Sequence, residues 1–124
     1  MERPVKTPGP DHPITVEPTA SRVMVRSGGK VIADTTAALS LRESDYPPVL
    51  YIPFADVTPE ALRPSDTLTY CPFKGDASYY SLVTESGEIA DAVWTYEKPY
   101  DAVGTIAGHV AFYPQHVEIA VEAA

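Results

Sequence analysis

Short runs of alternating side chains recur along this chain, each closed by Gly, Pro, Ser or Asp. That rhythm constrains the fold more than any other feature. Alternation with a period of two puts successive side chains on opposite faces of a strand, and closely spaced turns join such strands into hairpins. Val23 and Val25 alternate with Arg22, Met24 and Arg26. Ser27-Gly28-Gly29-Lys30 then supplies the positive-φ residues of a tight turn, and Val31 to Asp34 returns. Leu39 and Leu41 alternate with Ser40 and Arg42, and Val49 to Ile52 is apolar on both faces, as a buried strand is. Asp66 to Tyr80 reads as strand 67–71, turn 72–76 and strand 77–83; Ser86-Gly87 then turns the chain into a strand over 88–96. Val110 and Phe112 precede Pro114, and Val117, Ile119 and Val121 alternate with Glu118, Ala120 and Glu122. Ile14 to Glu17 is a short edge strand stopped by Pro18. Two helical turns interrupt this pattern. Thr58 caps the first, Pro59 opens it and Pro64 stops it; Asp101 caps the second, which ends near Ile106. The expectation is a mainly β fold: a single compact domain of twisted antiparallel hairpins with one or two short helical turns.

Pro4, Pro8, Pro10 and Pro13 exclude a helix or a central strand at the start. Residues 1–13 are therefore expected as a flexible Pro-rich tail, and residues 14–124 as a single β domain. A chain of 124 residues buries about two-thirds of its unfolded surface, enough for a core without staples. Nine basic and seventeen acidic residues give a net charge of −8 with no basic block, which argues against nucleic acid and serves solubility. One cysteine excludes an intrachain disulfide framework and a four-cysteine metal site, so no metal is expected, and the sequence leaves any cofactor unknown. No run approaches membrane-spanning length and the start lacks the apolar core of a secretion signal, so no membrane association and a cytoplasmic setting are expected. Gly29 to Asp34 echoes Gly87 to Asp91; two generic hairpins are favoured over two β-meander halves related by pseudo-symmetry.

Reactive chemistry and special backbone geometry coincide once, in residues 66–80. Cys71, the only cysteine, shares a strand face with Thr67 and Thr69, while Leu68 and Tyr70 share the other. A nearby cation lowers a thiol's pKa, and Lys74 is close in sequence. Gly75 allows a ligand to approach the backbone, with Lys74 as an anion clamp. The bland alternatives are a buried inert thiol, a solvated lysine and a plain turn glycine. A cysteine nucleophile needs a histidine base; His109 is preferred over His12 in the tail and His116 at a turn. Asp91 sits among Ile89, Ala90, Ala92 and Val93, where a carboxylate requires partners. Trp94, Tyr79, Tyr80, Tyr96 and Phe112 form either core packing or a ligand-stacking wall.

Three functions follow from these residues. The favoured one is a small-molecule-binding domain with a pocket beside the 70–76 turn, where Tyr70, Lys74, Gly75 and Trp94 meet a small polar or anionic ligand. The second is an enzyme with Cys71 as nucleophile, His109 as base and Asp91 as orienting carboxylate. The third is an interaction module that forms a homodimer through its sheet edges.

Three ordered segments carry a family resemblance. They are Tyr70-Cys71-Pro72-Phe73-Lys74-Gly75 with Ala77, Tyr79 and Tyr80; Asp91-Ala92-Val93-Trp94 with Tyr96 and Pro99; and Ile106-Ala107-Gly108 with Val110-Ala111-Phe112-Tyr113. From about His12 to Val121 the chain resembles the domain of unknown function 427 family. The resemblance implies a compact β domain related to β-tent folds, with no established reaction. A nucleotidyltransferase-style label attaches to the family, but this chain lacks the Gly-Ser helix start and paired aspartates that such chemistry uses. It also lacks the Cys-x-x-Cys zinc knuckles that β-tent proteins often carry.

Overall fold

The computed structural model describes residues 4–122. Ten strands form two antiparallel sheets: β1 (Ile14–Pro18), β2 (Val23–Ser27), β3 (Lys30–Thr35), β4 (Leu39–Glu43), β5 (Val49–Pro53), β6 (Leu62–Cys71), β7 (Gly75–Thr84), β8 (Gly87–Thr95), β9 (His109–Phe112) and β10 (Glu118–Val121). Seven of them lie in the order β1-β4-β5-β9-β8-β7-β6; the other three lie in the order β10-β2-β3. The mainly β expectation holds, with hairpins at Gly28-Gly29, at the 72–74 turn and at Ser86 as the turn residues require. Among the described residues, no helix is long and apolar enough to cross a membrane.

Alternation divides the large sheet into two unlike faces. Ile52, Val93, Val110, Phe112 and Leu82 face the small sheet and pack with Val23, Val25, Ile32 and Ala33 into a sealed aliphatic core. Their neighbours in sequence face the other way. Tyr51, Ala77, Ala111 and Tyr96 join Leu41, Val103 and Ile106 in a second cluster, with Tyr79, Trp94 and Cys71 half-buried against it. The echoing segments 29–34 and 87–91 fall in different sheets, the first running into β3 and the second in β8.

Two bulges bend the long ribbon β6-β7-β8. Pro64 pairs with Tyr80 and Leu68 with Ser78, so β6 carries extra residues between these rungs. Tyr80 pairs with Val93 and Leu82 with Ile89, so β8 carries extra residues opposite the same part of β7. Asp91 lies in the β8 bulge at φ +52°, a left-handed conformation that Asp tolerates better than most residues.

Both helical expectations need trimming. The first shrinks to a single 3₁₀ turn over Pro59–Ala61 without a side-chain cap from Thr58. Leu62, Arg63 and Pro64 instead begin β6. Pro64 is tolerated there because β6 is the sheet edge, where a missing N–H breaks no rung. The second turn, Asp101–Ile106, is also 3₁₀, and Tyr100 rather than Asp101 occupies its cap position.

The Pro-rich start is extended but docked. Lys6 N–H donates to Pro72 O at 2.9 Å, Ser44 N–H donates to Pro13 O at 2.9 Å, and a turn bridges Gly9 and His12. Residues 1–3 of the expected tail lie outside the described residues.

Candidate functional site: an aromatic basin on the open face

The second face of the large sheet is not fully covered. Beside the 72–74 turn it opens into a cavity of about 270 Å³. Four strands contribute to it through alternation. Leu41 and Glu43 come from β4, Val49 and Tyr51 from β5, Tyr79 from β7 and Trp94 from β8. Tyr96 and Tyr113 follow the ends of β8 and β9, and Tyr46-Pro47 forms the lip.

The rings meet at several angles. Trp94 and Tyr113 have centroids 4.5 Å apart at 47°, and Tyr51 stands edge-on to Trp94 at 6.4 Å and 88°. Trp94 Nε1–H donates to Tyr51 Oη at 3.1 Å, which fixes both rings. Burial pushes the Tyr51 phenol up to about 12 and raises those of Tyr96 and Tyr113 as well. The phenols therefore stay protonated at neutral pH, and the basin offers hydroxyls and π faces rather than phenolates.

One end of the basin is ionic. Lys74 Nζ donates to Glu43 Oε1 at 2.6 Å, and His12 Nε2 lies 2.7 Å from Glu43 Oε2. The lysine side chain is 13 % exposed and the glutamate 17 %, so this pair is shielded as surface pairs are not. Lys74 Nζ also stands 5.9 Å over the Tyr96 ring. Burial alone would raise the Glu43 carboxyl, but hydrogen bonds from Lys74 and His12 outweigh it and hold the group below its ordinary value. His12 stacks on Phe73 at 4.1 Å and 9°, which pins the docked start of the chain to the turn.

The turn positions its lysine through the backbone. Lys74 N–H donates to Cys71 O at 3.2 Å, and Lys74 O accepts from Tyr100 N–H at 3.0 Å. Gly75 follows at φ +109°, where an L side chain is strained. The close approach that Gly75 permits is filled by the protein itself: a Cβ there would stand 3.4 Å from Lys98 O. Gly75 is a turn residue, and no ligand reaches its amide from that side.

The structure brings two of the seven expected site residues, Lys74 and Trp94, to the basin wall. Tyr70 lies elsewhere; its Oη donates to Pro4 O at 2.6 Å and pairs with Tyr100 Oη at 2.7 Å. Cys71 is half-buried against the aromatic cluster, beneath the basin and absent from its lining. The expected Cys71–His109–Asp91 constellation does not form. β6 and β9 are separated by β7 and β8, so three interstrand steps, roughly 14 Å across the sheet, lie between the strands of Cys71 and His109, which are also offset along their strands. Thr95 pairs with Val110, which sets His109 beside Tyr96, and Asp91 lies roughly 15 Å along β8 from that rung. His109 Nδ1 lies 2.9 Å from Ala107 O.

Asp91 has a different task. Its carboxylate accepts from Ser65 Oγ at 2.5 Å and Thr67 Oγ1 at 2.7 Å, and its N–H donates to Ser81 Oγ at 3.2 Å. It thereby ties the β6 bulge to the β8 bulge across β7. The two hydroxyls hold its pKa below the ordinary carboxylate value. Among the described residues, no group of three or more His, Cys, Asp or Glu is placed to hold a metal ion.

Sequence reasoning missed Glu43 and set His12 aside as a tail residue. Glu43 ends an unremarkable alternating run, and only the pairing of β1 with β4 and the docking of the Pro-rich start bring His12 to it. Tyr96 and Tyr113 carried a weak signal: each directly follows a buried residue, Thr95 and Phe112, at the end of a strand.

A family model described as a domain of unknown function (DUF427) matches residues 15–123. A search of curated proteins finds no match to the chain.

Proposed function

Because the chain belongs to the domain of unknown function 427 family, whose description carries no reaction, we propose its function from its own site: a small-molecule-binding domain whose ligand sits in the aromatic basin. One observation carries this reading. Rings from β5, β7 and β8 and from the end of β9 surround about 270 Å³ of open space, where aliphatic side chains would have sealed the face. Concave, mostly apolar walls with a few convergent polar groups are what small-ligand sites are made of. The volume suits a small molecule or a single head group. The Lys74 charge is taken up by Glu43, so the basin offers no uncommitted cation for an anion. The expected ligand is small and polar, neutral or cationic, with a face to lay on Trp94.

Trp94 is the only tryptophan of the sequence and lines the basin, so its fluorescence reports on this site alone. Titration with a panel of nucleosides, monosaccharides, amino acids and small amines is expected to give a saturable change for at least one class. Val49→Phe, which adds bulk to the basin wall without adding a second tryptophan, is expected to abolish that binding. Silence of the wild-type protein across the whole panel would refute the reading.

A further inference from the structure

Building on the basin as a ligand site, we propose that the group it recognises is a methylated ammonium, held by the π faces of Trp94, Tyr113 and Tyr79 beside the Glu43 carboxylate. Three independent features favour this class over anions and over neutral rings. The first is ring geometry. Trp94 and Tyr113 lie 4.5 Å apart at 47°, and Tyr79 and Tyr96 join them on the wall, so the cavity is lined by several rings that are not coplanar. Such an arrangement surrounds a cation with ring quadrupoles, whereas a flat sugar or base is served by one parallel face.

The second feature is that the protein already places an ammonium there. Lys74 Nζ sits 2.6 Å from Glu43 Oε1 and 5.9 Å over Tyr96. A carboxylate and an aromatic face together hold a cation at the ionic end, and the rings continue that environment into the open cavity. The third is the field. A net charge of −8 attracts a cationic ligand and repels an anionic one, while the paired Glu43 and Lys74 charges offset each other. Methyl groups suit the rest of the wall, since Leu41, Val49 and Pro47 give apolar contact without asking for hydrogen bonds.

The test uses the full chain and the Trp94 signal. Choline is titrated beside 3,3-dimethyl-1-butanol, which has the same shape with carbon in place of the charged nitrogen, and beside inorganic phosphate. Choline is expected to saturate at a concentration about tenfold lower than the neutral isostere, as a desolvated cation–π site requires. Lys74→Met removes the resident ammonium and leaves Glu43 and Tyr96 facing the cavity; it is expected to tighten choline binding. Glu43→Gln is expected to weaken it. Equal binding of the isostere and choline, or saturable binding of phosphate that Lys74→Met abolishes, would overturn the ammonium proposal and leave a binding domain of another specificity. Silence toward choline together with silence toward the wider panel would overturn both. If either variant fails to fold, the choline-to-isostere ratio of the wild-type protein decides alone.

Discussion

The two faces of the seven-stranded sheet are built by the same strands and are physically unlike. Val93 and Trp94 are consecutive, yet Val93 is fully buried against the small sheet while Trp94 lines an open basin. The inner face is filled with Ile52, Leu82, Val93, Val110 and Phe112 and meets another sheet. The outer face carries tyrosines, a tryptophan and the Glu43–Lys74 pair, and it meets only the 101–106 turn and the neighbouring strands and loops. Strand alternation alone therefore gives one sheet a sealed face and an open one. One face is closed by aliphatic shape-matching. The other remains receptive because aromatic and polar groups tolerate contact with water.

The largest expected effect tests the sealed face. Leu82→Ala removes a fully buried side chain and is expected to cost about 2–5 kcal/mol in urea unfolding, because the cavity cannot fill with water. Trp94→Leu on the outer face is expected to cost less, since the gap opens to solvent. Equal losses would mean that the outer face is a core like the inner one, and the contrast between them would fail.

Next in size is the turn that presents Lys74. Gly75→Ala forces a β-carbon into the φ +109° conformation, 3.4 Å from Lys98 O. It is expected to cost about 1–3 kcal/mol and to reduce ligand binding with it. An unchanged midpoint would show that the turn relaxes without strain and that Lys74 is not rigidly placed.

The ionic end should show in pH dependence. Glu43 is held below its ordinary value near 4.5, so the unfolded chain binds the proton more tightly than the folded one. Its contribution is fully present above about pH 4.5 and is lost as pH falls through the lower folded-state value. Asp91 acts with the same sign below its ordinary value near 3.8. Glu43→Gln is expected to flatten the acid limb of stability measured by thermal unfolding across that window. A limb of unchanged slope would remove Glu43 from the account.

The smallest effect concerns a peripheral contact of the outer face. Tyr79 Oη lies 3.0 Å from Thr69 Oγ1 in an exposed pair. Tyr79→Phe is expected to cost about 1 kcal/mol or less and to leave ring stacking intact. A larger loss of ligand affinity than of stability would show that this hydroxyl contacts the ligand directly.

Much of the architecture was legible in the chain because strands and hairpins are local. The alternation at Val23 and Val25, the Gly28-Gly29 turn and the Cys71 to Gly75 turn each carry their signal within a few residues. Pro64 misled for a physical reason: a proline ends a helix or rests on a sheet edge, and only the strand order says that β6 is an edge. Lys74 and Trp94, singled out as a cation in a special turn and an aromatic residue at an alternating position, both line the basin. Glu43 and His12 were not so singled out, since their meeting depends on β1 pairing with β4 and on the start of the chain docking at Pro72. Asp91 was visible as a carboxylate that needs partners, but its partners lie across two bulges that interrupt the alternation.

The sequence by itself determined the β class, the turns, the family and which side chains alternate within each strand, because those follow from short-range sterics and a period of two. Tertiary structure alone decided which face is sealed, that Cys71, His109 and Asp91 stand apart, and that Lys74 finds Glu43. These depend on strand order, bulges and pairing between distant segments, which no local pattern encodes.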